Sequence, residues 1–202
     1  MSFHQIFPEI VYQTHINDSE LIKEKFANKI INKFKHDPDE SYQWGYNSNT
    51  WQVKANKEIE SLFYVYFEDH VRKWFEYYNF PPLKYNVEMW VNVHTYEMYQ
   101  DSHIHMGGKN LLSGNYNLLF HEKDRPMLFS DFRNYPSMVD SIGIEVDHWA
   151  GDRFSQRQIE IKEGDLLLFP PTLPHQVPCA LEKHDGHRIT ISFNVNLDEA
   201  HR

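Results

Sequence analysis

Three histidines and one arginine are the residues of this chain best suited to chemistry: the pair His103-Ile104-His105, His175 behind Pro170, Pro171 and Pro174, and Arg188. Residues i and i+2 of a strand point to one face, so the imidazoles of His103 and His105 converge as two ligands of one metal ion must. Spacing alone is no signal, because 13 histidines in 202 residues give roughly one such pair by chance. Two polar histidines at a strand end are the bland alternative. Leu166 to Phe169 form an apolar run expected to be buried on both sides, and the prolines after it make a rigid turn that delivers His175 to a defined place. A core histidine bonded to a backbone carbonyl has the same signature.

Arg188 opens a strand in which Arg188, Thr190, Ser192 and Asn194 share one face, and Ile189, Ile191, Phe193 and Val195 the other. A guanidinium followed by hydroxyls on one face can grip a carboxylate, since its planar fork pairs with both oxygens. A solvent-facing strand of an antiparallel sheet shows the same alternation.

These residues need a scaffold, and the chain supplies helices first and strands after. Leu21, Ile22, Phe26, Ile30 and Phe34 form one helical face from Ser19, ended at His36-Asp37-Pro38. A second helix is expected from Lys54 to Tyr78, closed by Pro81-Pro82. From Tyr85 the period changes to two, with strands expected at 85–95, 99–105, 113–120, 126–130, 141–148, 157–162, 165–170 and 187–196. Such a set of short strands reads as a sandwich or jelly roll with the helices outside one sheet. One domain is expected over 1–202, mostly helical over 1–84, with the β core over 85–197.

The formal charge of -9, from 29 acidic against 20 basic residues, and the lack of a Lys/Arg stripe argue against nucleic acid as a partner. No apolar run is long enough to span a bilayer. Cys179 is the only cysteine, so no intrachain disulfide forms and a cytoplasmic setting is expected. That thiol is expected to be buried and inert.

Four landmarks in order carry a resemblance: His103-Ile104-His105, Leu112-Ser113-Gly114-Asn115-Tyr116, Leu168-Phe169-Pro170 with Leu173-Pro174-His175, and Arg188 to Val195. Over about residues 87 to 196 the sequence resembles the 2-oxoglutarate and Fe(II)-dependent oxygenases, in the bacterial and phage branch that has a His-x-His. The resemblance implies a cupin-like double-stranded β-helix with iron at one open end. It implies His103 and His175 as metal ligands, Arg188 as anchor for the distal carboxylate of 2-oxoglutarate, and Ser192 assisting. Asn117 falls where relatives often have a tyrosine touching that carboxylate, and Asn92 is a weaker candidate.

Most of the superfamily has a carboxylate where this chain has His105. An all-histidine triad of His103, His105 and His175 is preferred here, with Asp101 the rival third ligand and His105 then orienting substrate or cosubstrate. The implied cofactors are Fe(II), 2-oxoglutarate and O2. The implied reaction is hydroxylation of an unidentified small molecule, amino acid or peptide, with decarboxylation of 2-oxoglutarate to succinate. A homodimer is the candidate assembly. Two readings compete: a three-histidine dioxygenase using no keto acid, in which Arg188 holds a substrate carboxylate, and a non-catalytic jelly-roll binding module. The connection between Phe129 and Ile159, with Tyr135, Trp149 and Phe154, is expected to cover the site.

Overall fold

The computed structural model describes residues 9–41, 48–105, 107–131 and 156–198. Helix α1 spans Ser19–His36 and buries Ile22, Phe26, Ala27 and Ile30. Leu21, expected on that face, is 63% exposed. It precedes Ile22 by one position, about 100° round the helix, and so falls outside the buried stripe. The second helical segment is α2 (Lys57–Leu62), a π-helical turn (Phe63–Phe67) and α3 (Glu68–Tyr77). Asn56 caps its start by accepting from the Ile59 N–H at 3.0 Å. Asn79, in the left-handed conformation at φ 54°, turns the chain just beyond its end.

Among the described residues, ten strands form two antiparallel sheets. The larger has six, ordered β1 (Tyr12–His15), β8 (Asp165–Phe169), β5 (Asn110–Leu119), β10 (Arg188–Leu197), β3 (Tyr85–His94) and β2 (Trp51–Lys54). The smaller is ordered β4 (Gln100–His103), β9 (His175–Val177), β6 (Leu128–Ser130) and β7 (Gln156–Gln158). With β1 and β2 as outer additions, the eight remaining strands form a double-stranded β-helix, as expected. β1, β2 and β9 have 4, 4 and 3 residues, too short to show a period. Lys54, expected to open the second helix, ends β2 instead. The expected strand 141–148 and residues 132–155 of the covering connection, with Tyr135, Trp149 and Phe154, lie outside the described residues.

The helices cover one face of the larger sheet. Ile189, Ile191, Phe193 and Val195 of β10 are fully buried there with Val91, Val93, Leu166 and Leu168, against Phe26, Phe63 and Phe67. The Phe193 ring sits 5.3 Å from that of Phe63 and 5.7 Å from that of Phe67. It also lies on the β5 backbone, where a Cβ at Gly114 would come within 2.1 Å of it. The glycine of the Leu-Ser-Gly landmark is thus a packing requirement. A smaller cluster of Met127, Phe129, Leu167, Phe169, Leu173 and Val177 is buried separately from the helical core. β8 contributes to both clusters, which explains its unbroken apolar run.

Candidate active site

Away from the helices, the larger sheet carries a polar surface that is nonetheless buried. Arg188, Thr190 and Ser192 are 2%, 3% and 6% exposed, so this is not a solvent-facing strand. Register places Thr190 and Ser192 beside Asn92 and Trp90 of β3, and beside Asn117 and Asn115 of β5. The amide of Asn92 donates to Thr190 Oγ1 at 2.9 Å and Ser192 Oγ at 3.0 Å, while its oxygen accepts from Gln52 Nε2 at 2.7 Å. Asn115 Nδ2 also donates to Ser192 Oγ, at 2.9 Å. Asn92, the weakest candidate in the sequence, is the hub of this network. Asn117 is fully buried and donates to the Asp165 carbonyl at 3.2 Å.

At one end of this surface three imidazoles meet. His103 ends β4, His175 opens β9, and the two are direct cross-strand partners. His105 lies two residues past β4, where its N–H donates to the Pro171 carbonyl at 2.8 Å. The strand expected over 99–105 therefore ends early, yet the His105 ring still turns toward the others. One ligand nitrogen from each of the three falls within 4.8 Å of the others. Asp101 stays outside this group; its side chain is exposed and its carbonyl accepts from His103 Nδ1 at 2.8 Å.

The second nitrogen of each ring sets the chemistry of the first. His103 and His175 donate from Nδ1 to the carbonyls of Asp101 and Leu173, at 2.8 and 2.9 Å. A carbonyl only accepts, so Nδ1 carries the proton and Nε2 the lone pair. His105 Nδ1 contacts Asn194 Oδ1 at 2.9 Å and Ser113 Oγ at 3.0 Å. The carbonyl bond read as the bland alternative for His175 is present, and it is the bond that fixes the tautomer.

Burial pushes all three imidazoles below their ordinary value, His105 to about 4 and His175 far down. The neighbouring imidazoles add to the shift at His105 and His175. Rings of Trp90 and Phe169 wall the cluster, 5.7 Å from His105 and 4.8 Å from His175. Three neutral nitrogen donors with anchored outer nitrogens fit a divalent first-row metal ion.

Arg188 stands at the other end of the polar surface. Nη1 donates to the Arg125 carbonyl at 2.8 Å, and the Phe120 ring lies 5.3 Å from the guanidinium carbon. Nε and Nη2 are buried with no hydrogen-bond partner among the described residues. Burial lowers Arg188 to about 10, with Asp124 opposing the shift. A buried cation with two unused N–H groups fits a carboxylate ligand.

Its cross-strand partner, His94, escaped the sequence reading. The Thr50 hydroxyl donates to the Tyr99 carbonyl at 3.0 Å, so it must accept from His94 Nε2 at 2.8 Å, leaving Nδ1 as an acceptor. Burial and the Arg188 charge hold His94 far below its ordinary value. Only its inward place in the β3 alternation hinted at this. Cys179, expected to be buried, is exposed, because it lies beyond Pro178 and past the end of β9.

No helix among the described residues is long and apolar enough to cross a membrane. No curated protein matches the chain in sequence. Solved structures match its fold. A prolyl-4-hydroxylase from Pseudomonas putida aligns at TM-score 0.62 and 12% identity, over 94% of each chain. A prolyl hydroxylase from Trichoplax adhaerens, in complex with a hypoxia inducible factor peptide fragment, aligns at 0.61 and 12%, over 92% of this chain and 83% of that one. HygX from Streptomyces hygroscopicus, with nickel, 2-oxoglutarate and hygromycin B bound, aligns at 0.59 and 11%, over 95% and 84%. The family model described as "Putative 2OG-Fe(II) oxygenase" matches residues 88–194, which hold the three histidines, Arg188 and the polar surface between them. With more than half of its length under that model, the chain belongs to the 2OG-Fe(II) oxygenases, enzymes that use Fe(II), 2-oxoglutarate and O2.

Proposed function

We propose that His103, His105 and His175 hold Fe(II), that Arg188 receives the distal carboxylate of 2-oxoglutarate, and that the enzyme hydroxylates a substrate while 2-oxoglutarate becomes succinate and carbon dioxide. One observation carries this reading. A buried guanidinium with two nitrogens unpartnered among the described residues begins the strand face whose fourth inward residue, Asn194, touches the histidine cluster.

The iron and keto acid, when bound, supply the oxidising chemistry with O2. The protein's own residues bind and orient. Three neutral imidazoles leave the metal's double charge uncompensated, so the site favours a dianionic chelator. Arg188 offers Nε and Nη2 to one carboxylate. Ser192 Oγ already accepts two amide hydrogen bonds, so its own proton is left to donate. Asn117 has spent one amide proton on Asp165, leaving one for a ligand. Trp90, Phe129 and Phe169 keep water from the cluster.

The substrate is proposed to be a small molecule, an amino acid or a peptide; the fold relatives that hold a peptide fragment and hygromycin B support the peptide and small-molecule classes. A cytoplasmic setting is supported by the lone cysteine.

With Fe(II), ascorbate, O2 and 2-oxoglutarate, the wild-type protein is expected to release succinate slowly even without substrate, and His175→Ala none. Succinate from His175→Ala at the wild-type rate, or none from iron-bound wild type, would overturn the reading.

A further inference from the structure

In the usual triad of this superfamily, a carboxylate binds metal in one protonation state, whereas an imidazole must be held as the right tautomer and turned the right way. His103 and His175 meet this need through backbone carbonyls, at Asp101 and Leu173. His105 does not; its Nδ1 faces two side chains, Asn194 Oδ1 at 2.9 Å and Ser113 Oγ at 3.0 Å.

The surroundings set the direction of those bonds. Asn110 Oδ1 accepts from the Leu112 N–H at 3.2 Å, and Asn110 Nδ2 donates to the His105 carbonyl, also at 3.2 Å. Two backbone groups thus fix which end of the Asn110 amide faces Ser113, and Nδ2 donates to Ser113 Oγ at 3.2 Å. The Ser113 proton then goes to Asn194 Oδ1, 2.9 Å away. The second lone pair of that oxygen receives the His105 Nδ1 proton. Asn194 and Ser113 are direct register partners on β10 and β5, so the arrangement is part of the rigid sheet. The His105 backbone is held too, through its N–H on the Pro171 carbonyl and its own carbonyl, which accepts from Gly107 at 2.9 Å.

We propose that Asn194, with Ser113 and Asn110 behind it, is the positioning residue that makes His105 a metal ligand, by holding its imidazole as the Nδ1–H form with Nε2 turned toward His103 and His175. This rests on the reading of the three histidines as metal ligands. Asn194 touches neither metal nor substrate and acts through His105. It does for an all-histidine triad what the two backbone carbonyls do for the other ligands.

The test is an anaerobic titration with Co(II), followed by its visible ligand-field bands and by competition with a chelator. The proteins are wild type, Asn194→Leu, Asn194→Asp and His175→Ala. Asn194→Leu is expected to bind Co(II) about 10- to 100-fold more weakly, with altered bands. Asn194→Asp, which keeps the acceptor, is expected to restore near wild-type affinity and bands. Should Asn194→Leu fail to fold, Asn194→Ala replaces it. Wild-type affinity and an unchanged spectrum in the apolar variant overturn the proposal and leave the metal site standing. Co(II) bound equally by wild type and His175→Ala, or by neither, overturns the metal site and the proposal together.

Discussion

Replacing Arg188 with methionine is expected to weaken 2-oxoglutarate binding by about 100- to 10,000-fold, because two hydrogen bonds from a charged, buried fork contribute about 3–6 kcal/mol and each 1.4 kcal/mol is tenfold. Fe(II) binding is expected to be unchanged, since Arg188 is not among the clustered histidines. The same substitution is expected to make the 2-oxoglutarate-free protein more stable. Burial holds the guanidinium at about 10 rather than 12.5, a cost of about 3 kcal/mol at one pKa unit per 1.36 kcal/mol. Nε and Nη2 have no partner among the described residues to offset it, and an apolar side chain of similar length removes the cost. Isothermal titration and urea unfolding would together show affinity lost and stability gained. A residue that merely held the strand in place would lose both.

Loss of stability in mild acid is the second large effect, expected for the metal-free protein. His94, His105 and His175 are kept neutral by burial, His105 with a folded value of about 4. In the unfolded chain each titrates near 6.5. Below that pH the unfolded state binds protons that the folded state refuses, so stability is intact above about 6.5 and falls as pH drops toward about 4. Three such groups give a slope approaching about 4 kcal/mol per pH unit. Two units would consume most of the stability of an ordinary domain. Urea midpoints between pH 7.5 and 4.5, with a chelator present, measure this. A bound divalent ion should move unfolding to lower pH, because it is held by the clustered histidines of the folded state and adds to that state's stability. A midpoint flat from pH 7 to pH 5 would show that these imidazoles are not held neutral.

Much of this design is legible from side-chain pattern alone. The β10 alternation separates the helix-facing Ile189, Ile191 and Phe193 from the inward Arg188, Thr190 and Ser192, and both sets are where the period places them. The double burial of β8 follows from its unbroken apolar run. What stayed hidden depends on contacts distant in the chain. His105 leaves the strand because Pro171, from the turn before β9, captures its N–H. The role of Asn92 emerges only when β2 and β10 bring Gln52 and Ser192 to its amide. Asn194 reads as one more polar strand residue until β5 sets Ser113 beside it. The three missed strands have four residues or fewer and are defined by partner strands rather than by a period of their own.

The most direct measurement is an anaerobic titration of the Fe(II)-loaded protein with 2-oxoglutarate, recording the visible charge-transfer band of a chelated keto acid, with His175→Ala and Arg188→Met as controls. The band is expected to saturate at one equivalent in the wild type, to be absent in His175→Ala, and to require far more 2-oxoglutarate in Arg188→Met. Fe(II) bound tightly with no band at any 2-oxoglutarate concentration would contradict the proposal that this pocket holds the keto acid on a three-histidine iron.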